Sequence, residues 1–253
     1  MTAIPYRIRR SERARRARIL VDGDGVEVVV PRRFPLREVE PFVEEKRAWI
    51  ERTLRRLRET EAELAPSLLE DGGRVPYLGE SLRLAVRVEP GRQREHVVRR
   101  GDALSVALPG AVADQPPAGG QLALLHAEHP PAAVPGEGDL RAAIERWYRR
   151  RARAEVEPRL DAACARAGTA FTRLQIRGQR TRWASCSSTG AMSFNWRLLL
   201  APPDILDYVV EHEVAHLELL DHSPRFWRLL ASRCPDWRER EAWLRRYGHS
   251  LRL

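Results

Sequence analysis

The stretch "EHEVAHLELLDHSPRFW", residues 211–227, holds three of the chain's seven histidines, His212, His216 and His222, with Glu213 between the first two. The run that leads into it from Pro203 has helical spacing. At about 100° per residue, only Asp207, Glu211 and Glu218 form a polar stripe along 203–220. His212 and His216 fall within about 40° of each other on the opposite side, among Ile205, Tyr208, Val209, Leu219 and Leu220. Glu213 points into another apolar sector, beside Leu206, Val210 and Leu217. The spacing therefore predicts a buried helix with two imidazoles and a carboxylate directed inward. A buried carboxylate without a partner is costly or takes up a proton, so something in the interior must receive these groups.

A metal ion meets that need. Histidines at i and i+4 present two nitrogens to one point, and Zn²⁺ takes such nitrogens at ~2.0–2.1 Å. The glutamate that follows the first histidine is angled past the ion, toward a bound water, which is the HExxH pattern of zinc hydrolases. Two histidines leave such an ion one protein ligand short. His222 is the leading candidate, because Ser223 and Pro224 read as the N-cap and first position of a new helix, "PRFWRLLASR". Asp221-His222 is then a turn able to fold a third nitrogen back. Asp221 and Glu218 are the alternatives. A bare HExxH arises by chance in roughly 2% of chains of this composition. The competing reading is a pair of core histidines bonded to carbonyls, and it leaves Glu213 unexplained.

Composition frames this site. Of 253 residues, 43% are hydrophobic and 31% charged, which suits a folded core with a solvated surface. No apolar run approaches the ~20 residues of a membrane span. The basic N-terminus lacks the apolar segment of a secretory signal. Cys164, Cys186 and Cys234 are odd in number and widely spaced, so neither a disulfide framework nor a zinc ribbon is expected, and a reducing cytoplasm is. The net charge of +9 is nearly all arginine, since Lys46 is the sole lysine. Most of it reads as solvated surface, with nucleic acid as a partner the arginines also allow.

Along the chain, residues 17–31 read as a β-hairpin around Asp-Gly-Asp-Gly. Residues 35–59 have helical spacing, with Val39, Phe42, Val43, Trp49, Ile50, Leu54 and Leu57 on one side. Alternating strands return from Tyr77 to Pro109. A Pro/Gly/Ala-rich loop or linker follows, with room for one short helix; its His126 and His129 have no claim on a metal. A long helix ends at Gly168, with a kink or break expected at Pro158. Three short strand-like pieces then precede the motif, with a turn at Ser188-Thr189-Gly190. The organisation expected is a β-rich N-terminal region with one helix at 1–109, the linker at 110–138, and a catalytic domain at 139–253.

"RTRWASCSSTGAMSFNWRLLLAPPDILDYVVEHEVAHLELLDHSPRFWRLLASRCPDWRER" and the opening "RRSERARRARILVDGDGVEVVVPRRFPLREVEPFVEEKRAWI" together resemble the YgjP-like metallopeptidase family, zincins related to SprT-like and WLM proteases. The family's W-G-S-C segment reads WASC here, with Ala184 in place of glycine. Leu219 stands where metzincins carry glycine. The resemblance implies an α+β zincin-like domain with an HExxH active-site helix and a small antiparallel sheet. It implies Zn²⁺ on His212, His216 and His222, and a zinc-bound water activated by Glu213 to hydrolyse peptide bonds. Polypeptide is the expected substrate. Ser193 and Asn195, on the strand before the motif helix, and Arg182 are candidate substrate-binding residues; Tyr208, Arg182 and His249 are candidate oxyanion stabilisers. Trp183, Trp196 and Trp227 read as core aromatics, and Cys186 as a buried inert thiol. Two other readings stay open. One is a nucleotide pyrophosphohydrolase with Arg177, Arg180 and Arg182 on the phosphates; the other is a DNA-associated SprT-like protease, though no cysteine-rich ribbon is present to recruit it.

Overall fold

A computed structural model describes residues 4–22, 25–64, 67–110, 137–179 and 182–253. The linker with His126 and His129, and Arg180 of the arginine group, lie outside them. The described residues form a mixed α+β chain with six α-helices and three small sheets. It divides into two compact units, Met1–Pro66 with Ala242–Leu251, and Ser67–Glu241 with Arg252–Leu253. The expected boundaries followed composition; this division follows packing, and it groups the strands of residues 74–110 with the second unit. No helix among the described residues is long and apolar enough to cross a membrane.

In the first unit, β1 (Tyr6–Ser11) pairs in parallel with β3 (Gly25–Pro31), and β2 (Arg18–Asp22) pairs antiparallel with β3 on its other side. The expected hairpin is β2–β3, in register from Asp22↔Gly25 to Arg18↔Val29. Its inner face packs Val26, Val28 and Val30 against Val39, Val43 and Ile50. The helical stretch is two helices, α1 (Val39–Glu45) and α2 (Arg47–Glu63), separated at Lys46. That break corrects one expectation. Beyond it Ile50 and Leu57 are buried and Leu54 partly so, and Trp49, about 100° off that stripe, is 42% exposed.

The second unit holds a four-stranded sheet in the order β4 (Arg74–Tyr77), β5 (Glu80–Pro90), β7 (Ala103–Gly110), β6 (His96–Arg100). Helix α3 (Glu137–Ala167) runs through Pro158 without the expected break. Proline deletes one hydrogen bond there, and Val156 and Leu160, fully buried on either side, keep the helix anchored. Gly168, at φ +64°, ends it as its C-cap pattern requires.

The third sheet has the order β8 (Arg173–Arg177), β10 (Ala191–Asn195), β9 (Ala184–Cys186). It is mixed, not antiparallel: β10 pairs in parallel with β8 and antiparallel with β9. β8 and β9, consecutive in sequence, therefore flank β10 on opposite sides and do not pair with each other. The run expected as strand through Ala201 turns at Asn195 into a 3-10 segment, Trp196–Leu200. Helix α4 (Pro203–Ala215) follows, then α5 (Pro224–Arg233) and α6 (Trp237–Tyr247). The polar stripe of α4 meets arginines of α3: Arg159 Nε lies 2.9 Å from Asp207, and Arg166 2.6 Å from Glu211.

Candidate metal centre

Helix α4 ends five residues before the expected Leu220. His212 and Glu213 sit in its last turn, and His216 is the C-cap, still in right-handed helical conformation. The N–H groups of Leu217 and Glu218 reach carbonyls three residues back, Val214 and Ala215, at 3.0 and 3.2 Å, so the coil tightens and then stops. Only the pattern inside that last turn is needed to align the two imidazoles. The early stop frees residues 217–223 to turn back.

That return brings the three histidines together. A ligand atom from each of His212, His216 and His222 lies within 4.8 Å of the others. The Nε2 atoms of His212 and His222 are 3.1 Å apart. Neutral imidazole nitrogens this close need a shared proton or a cation between them. Nδ1 of His216 lies 3.0 Å from the Leu219 carbonyl, which makes Nδ1–H the donor and leaves Nε2 with a free lone pair for an ion. Nδ1 of His212 is buried without a partner. Asp221 accepts from the Ser223 N–H at 2.9 Å, and Glu218 pairs with Arg233, so both alternatives to His222 are otherwise engaged. The donor set fits a borderline-soft divalent ion.

Phe226, on the first turn of α5, was not singled out in the sequence. Its fully buried ring lies 4.6–5.0 Å from all three imidazoles and stacks on His216. Trp227 lies 5.5 Å from His222 and stacks on Trp237. The signal available was Phe226 four residues after His222, but that spacing acquires meaning only once α5 is docked against α4.

Glu213 is 5% exposed, with Oε2 buried and unpartnered. Burial pushes its carboxyl up to about 8, partly offset by a hydrogen bond from the Cys186 N–H. Burial, and then the charges of His216 and His222, depress His212 to about 3. Burial also lowers His216. These groups shape the metal-free protein's stability. Glu213 takes up protons on folding between its ordinary 4.5 and about 8, so its contribution falls as pH rises through that window. His212 has the opposite sign, gaining stability from about pH 3 to 6.5 and contributing no slope above. Between pH 6.5 and 8 the Glu213 contribution falls by about 2 kcal/mol. Urea unfolding of chelator-treated protein should show that loss, and Glu213→Gln should abolish it; an equal loss in the variant would refute the assignment.

Strand β10 is the centre of its sheet: the Asn195 N–H bonds the Trp183 carbonyl at 2.7 Å, so this strand has no free edge to offer a substrate. Ser193 is buried with Oγ 2.9 Å from Ser185 Oγ. Asn195, also buried, donates to the carbonyls of Gln179 and Arg182 and accepts from the Arg197 N–H, which pins the connection ahead of β9. Tyr208 is buried, its ring edge-on to His212 at 5.9 Å. Arg182 is exposed, and Arg177 bonds Gln175 at 3.1 Å. His249 belongs to the other unit, with Nε2 2.6 Å from Thr60 Oγ1. Trp196 is buried, while Trp183 and Trp227 are half-buried. The Cys186 thiol is half-buried and raised to about 11, first by burial and then by Glu213, which keeps it protonated and inert at neutral pH. Ala184 lies in regular β9 strand, so no glycine is required there.

A family model described as YgjP-like, metallopeptidase domain, matches residues 15–115 and 130–247. No curated protein and no solved structure matches the chain. The matched segments take in most of the sequence, strands β2 and β3 of the N-terminal sheet and the three histidines included, and the chain belongs to the YgjP-like metallopeptidase family.

Proposed function

We propose that this chain is a zinc peptidase whose zincin-like site is the cluster His212, His216 and His222, with Glu213 as the catalytic acid/base. The observation that supports it is the convergence of three imidazoles beside a buried carboxylate, in a member of a metallopeptidase family. When bound, zinc would polarise the scissile carbonyl and acidify the attacking water. A dication on the imidazoles favours the ionised form of Glu213, the form that accepts a proton. The Glu213 carboxylate takes that proton from the water and passes it to the leaving amine. The Cys186 N–H orients the carboxylate for both transfers. Tyr208, whose ring packs edge-on to His212, is the oxyanion stabiliser this reading favours.

The substrate strand belongs on β9. The Trp183 carbonyl and Ser187 N–H face β10, so by alternation the main chain of Ala184 and the Cys186 carbonyl face the open edge, next to Glu213. An extended peptide added there would cross the carboxylate. The test offers zinc-loaded protein a casein-like polypeptide and nucleoside triphosphates side by side. Proteolysis is expected, and pyrophosphate release without proteolysis would overturn the reading.

A further inference from the structure

The net charge is not spread evenly. Residues 1–37 hold ten arginines against Glu12, Asp22, Asp24 and Glu27, a net +6 of the chain's +9. Topology concentrates it further. Strands β1 and β3 run parallel and finish in register at Ser11↔Pro31, and β2 starts at the same end. The turn after β1 and the turn after β3 therefore lie side by side, within the roughly 10 Å width of a three-stranded sheet. They present Arg13, Arg15, Arg16, Arg18, Arg33 and Arg37, all exposed. Glu12 is committed to Arg32 at 3.2 Å, and Glu27 to Arg9 at 3.0 Å. Among the described residues, none of those six arginines has an acidic partner. On the helices of the same unit, Arg47 is flanked by Glu44 and Glu51, and Arg246 by Glu63.

The same unit carries an aromatic feature. Trp49 is 42% exposed, and Arg52 and Arg56 follow it at i+3 and i+7 on α2. With Thr53, Arg55 and Glu59 they line a surface pocket of about 520 Å³. An indole in water flanked by guanidinium groups is a stacking platform for a base whose phosphates the arginines hold.

We propose that the N-terminal unit binds single-stranded nucleic acid, with phosphates on the arginine end of the sheet and an unstacked base on Trp49. Guanidinium forks match phosphate oxygens two at a time, which a lysine surface would not do. A lipid surface would require a broad apolar face, and the large apolar side chains exposed among the described residues of this unit are Ile8, Leu36 and Trp49. The site is independent of the histidine cluster and of its chemistry.

The test uses the full chain and a fluorescein-labelled 20-nucleotide oligouridine followed by anisotropy. Binding is expected at 50 mM salt, with a log–log salt slope of about −3 for four to five arginine–phosphate contacts and hence ~60-fold weakening by 200 mM. Arg13→Ser/Arg15→Ser/Arg16→Ser should reduce the slope by about 2 and the affinity at least ~tenfold, with an unchanged thermal melt. Trp49→Ala should weaken binding at least ~fivefold. Three outcomes would overturn the proposal: no binding at 50 mM salt, wild-type affinity in the triple variant, or tighter binding to phosphatidylglycerol vesicles or poly-glutamate than to the oligonucleotide. An unaffected Trp49→Ala would overturn its single-strand element.

Discussion

Glu213→Gln should leave zinc content intact and reduce turnover of an unfolded polypeptide by at least ~10². The replacement is close to isosteric, so packing around this 5%-exposed side chain is preserved and the amide oxygen can still accept from the Cys186 N–H. What disappears is a carboxylate that takes a proton. Stability should not fall: the variant no longer buries a group whose ionisation is opposed by its surroundings, so above pH 6.5 it should unfold at equal or higher denaturant than the parent when both are metal-free. A fluorogenic-polypeptide assay with elemental analysis of the same preparation separates chemistry from metal. Retained turnover in a zinc-replete variant would make Glu213 a structural carboxylate only.

The second large effect is expected at His222. His222→Ala should lower zinc affinity by more than ~10², since it removes one of three nitrogens, and turnover should fall with it. Folding should survive, because His222 is exposed and lies in a turn between two helices. His216→Ala differs in kind. It removes a buried ring that stacks on Phe226 and bonds the Leu219 carbonyl, so it should lose zinc and thermal stability together. Competition with a chromophoric zinc chelator measures the first quantity and a thermal melt the second. Full occupancy in His222→Ala would reassign the third ligand, with Asp221 next in line because it adjoins the same turn.

How far these residues were legible depends on what each one rests on. The grouping of His212, Glu213 and His216 follows from helical geometry within one turn, which the sequence alone determines, and the hairpin β2–β3 and the Gly168 cap are local in the same way. The end of α4 was not legible. Its apolar spacing continues to Leu220, but the chain leaves the helix at Ala215, where His216 claims the Leu219 carbonyl and the return to His212 becomes available. Nor was the edge strand. β10 alternates as a half-exposed strand would, and only its pairing on both sides, with β8 and with β9, moves the open edge to Ala184–Cys186. Tertiary packing likewise decides two aromatics. Trp49, about 100° off the stripe that α2 buries, is left in solvent, and the docking of α5 on α4 places Phe226 against three histidines. Periodicity reports which side of a segment avoids water, because that depends on residues a few positions apart. It does not report what covers that side, which depends on contacts between distant segments that only the tertiary fold chooses.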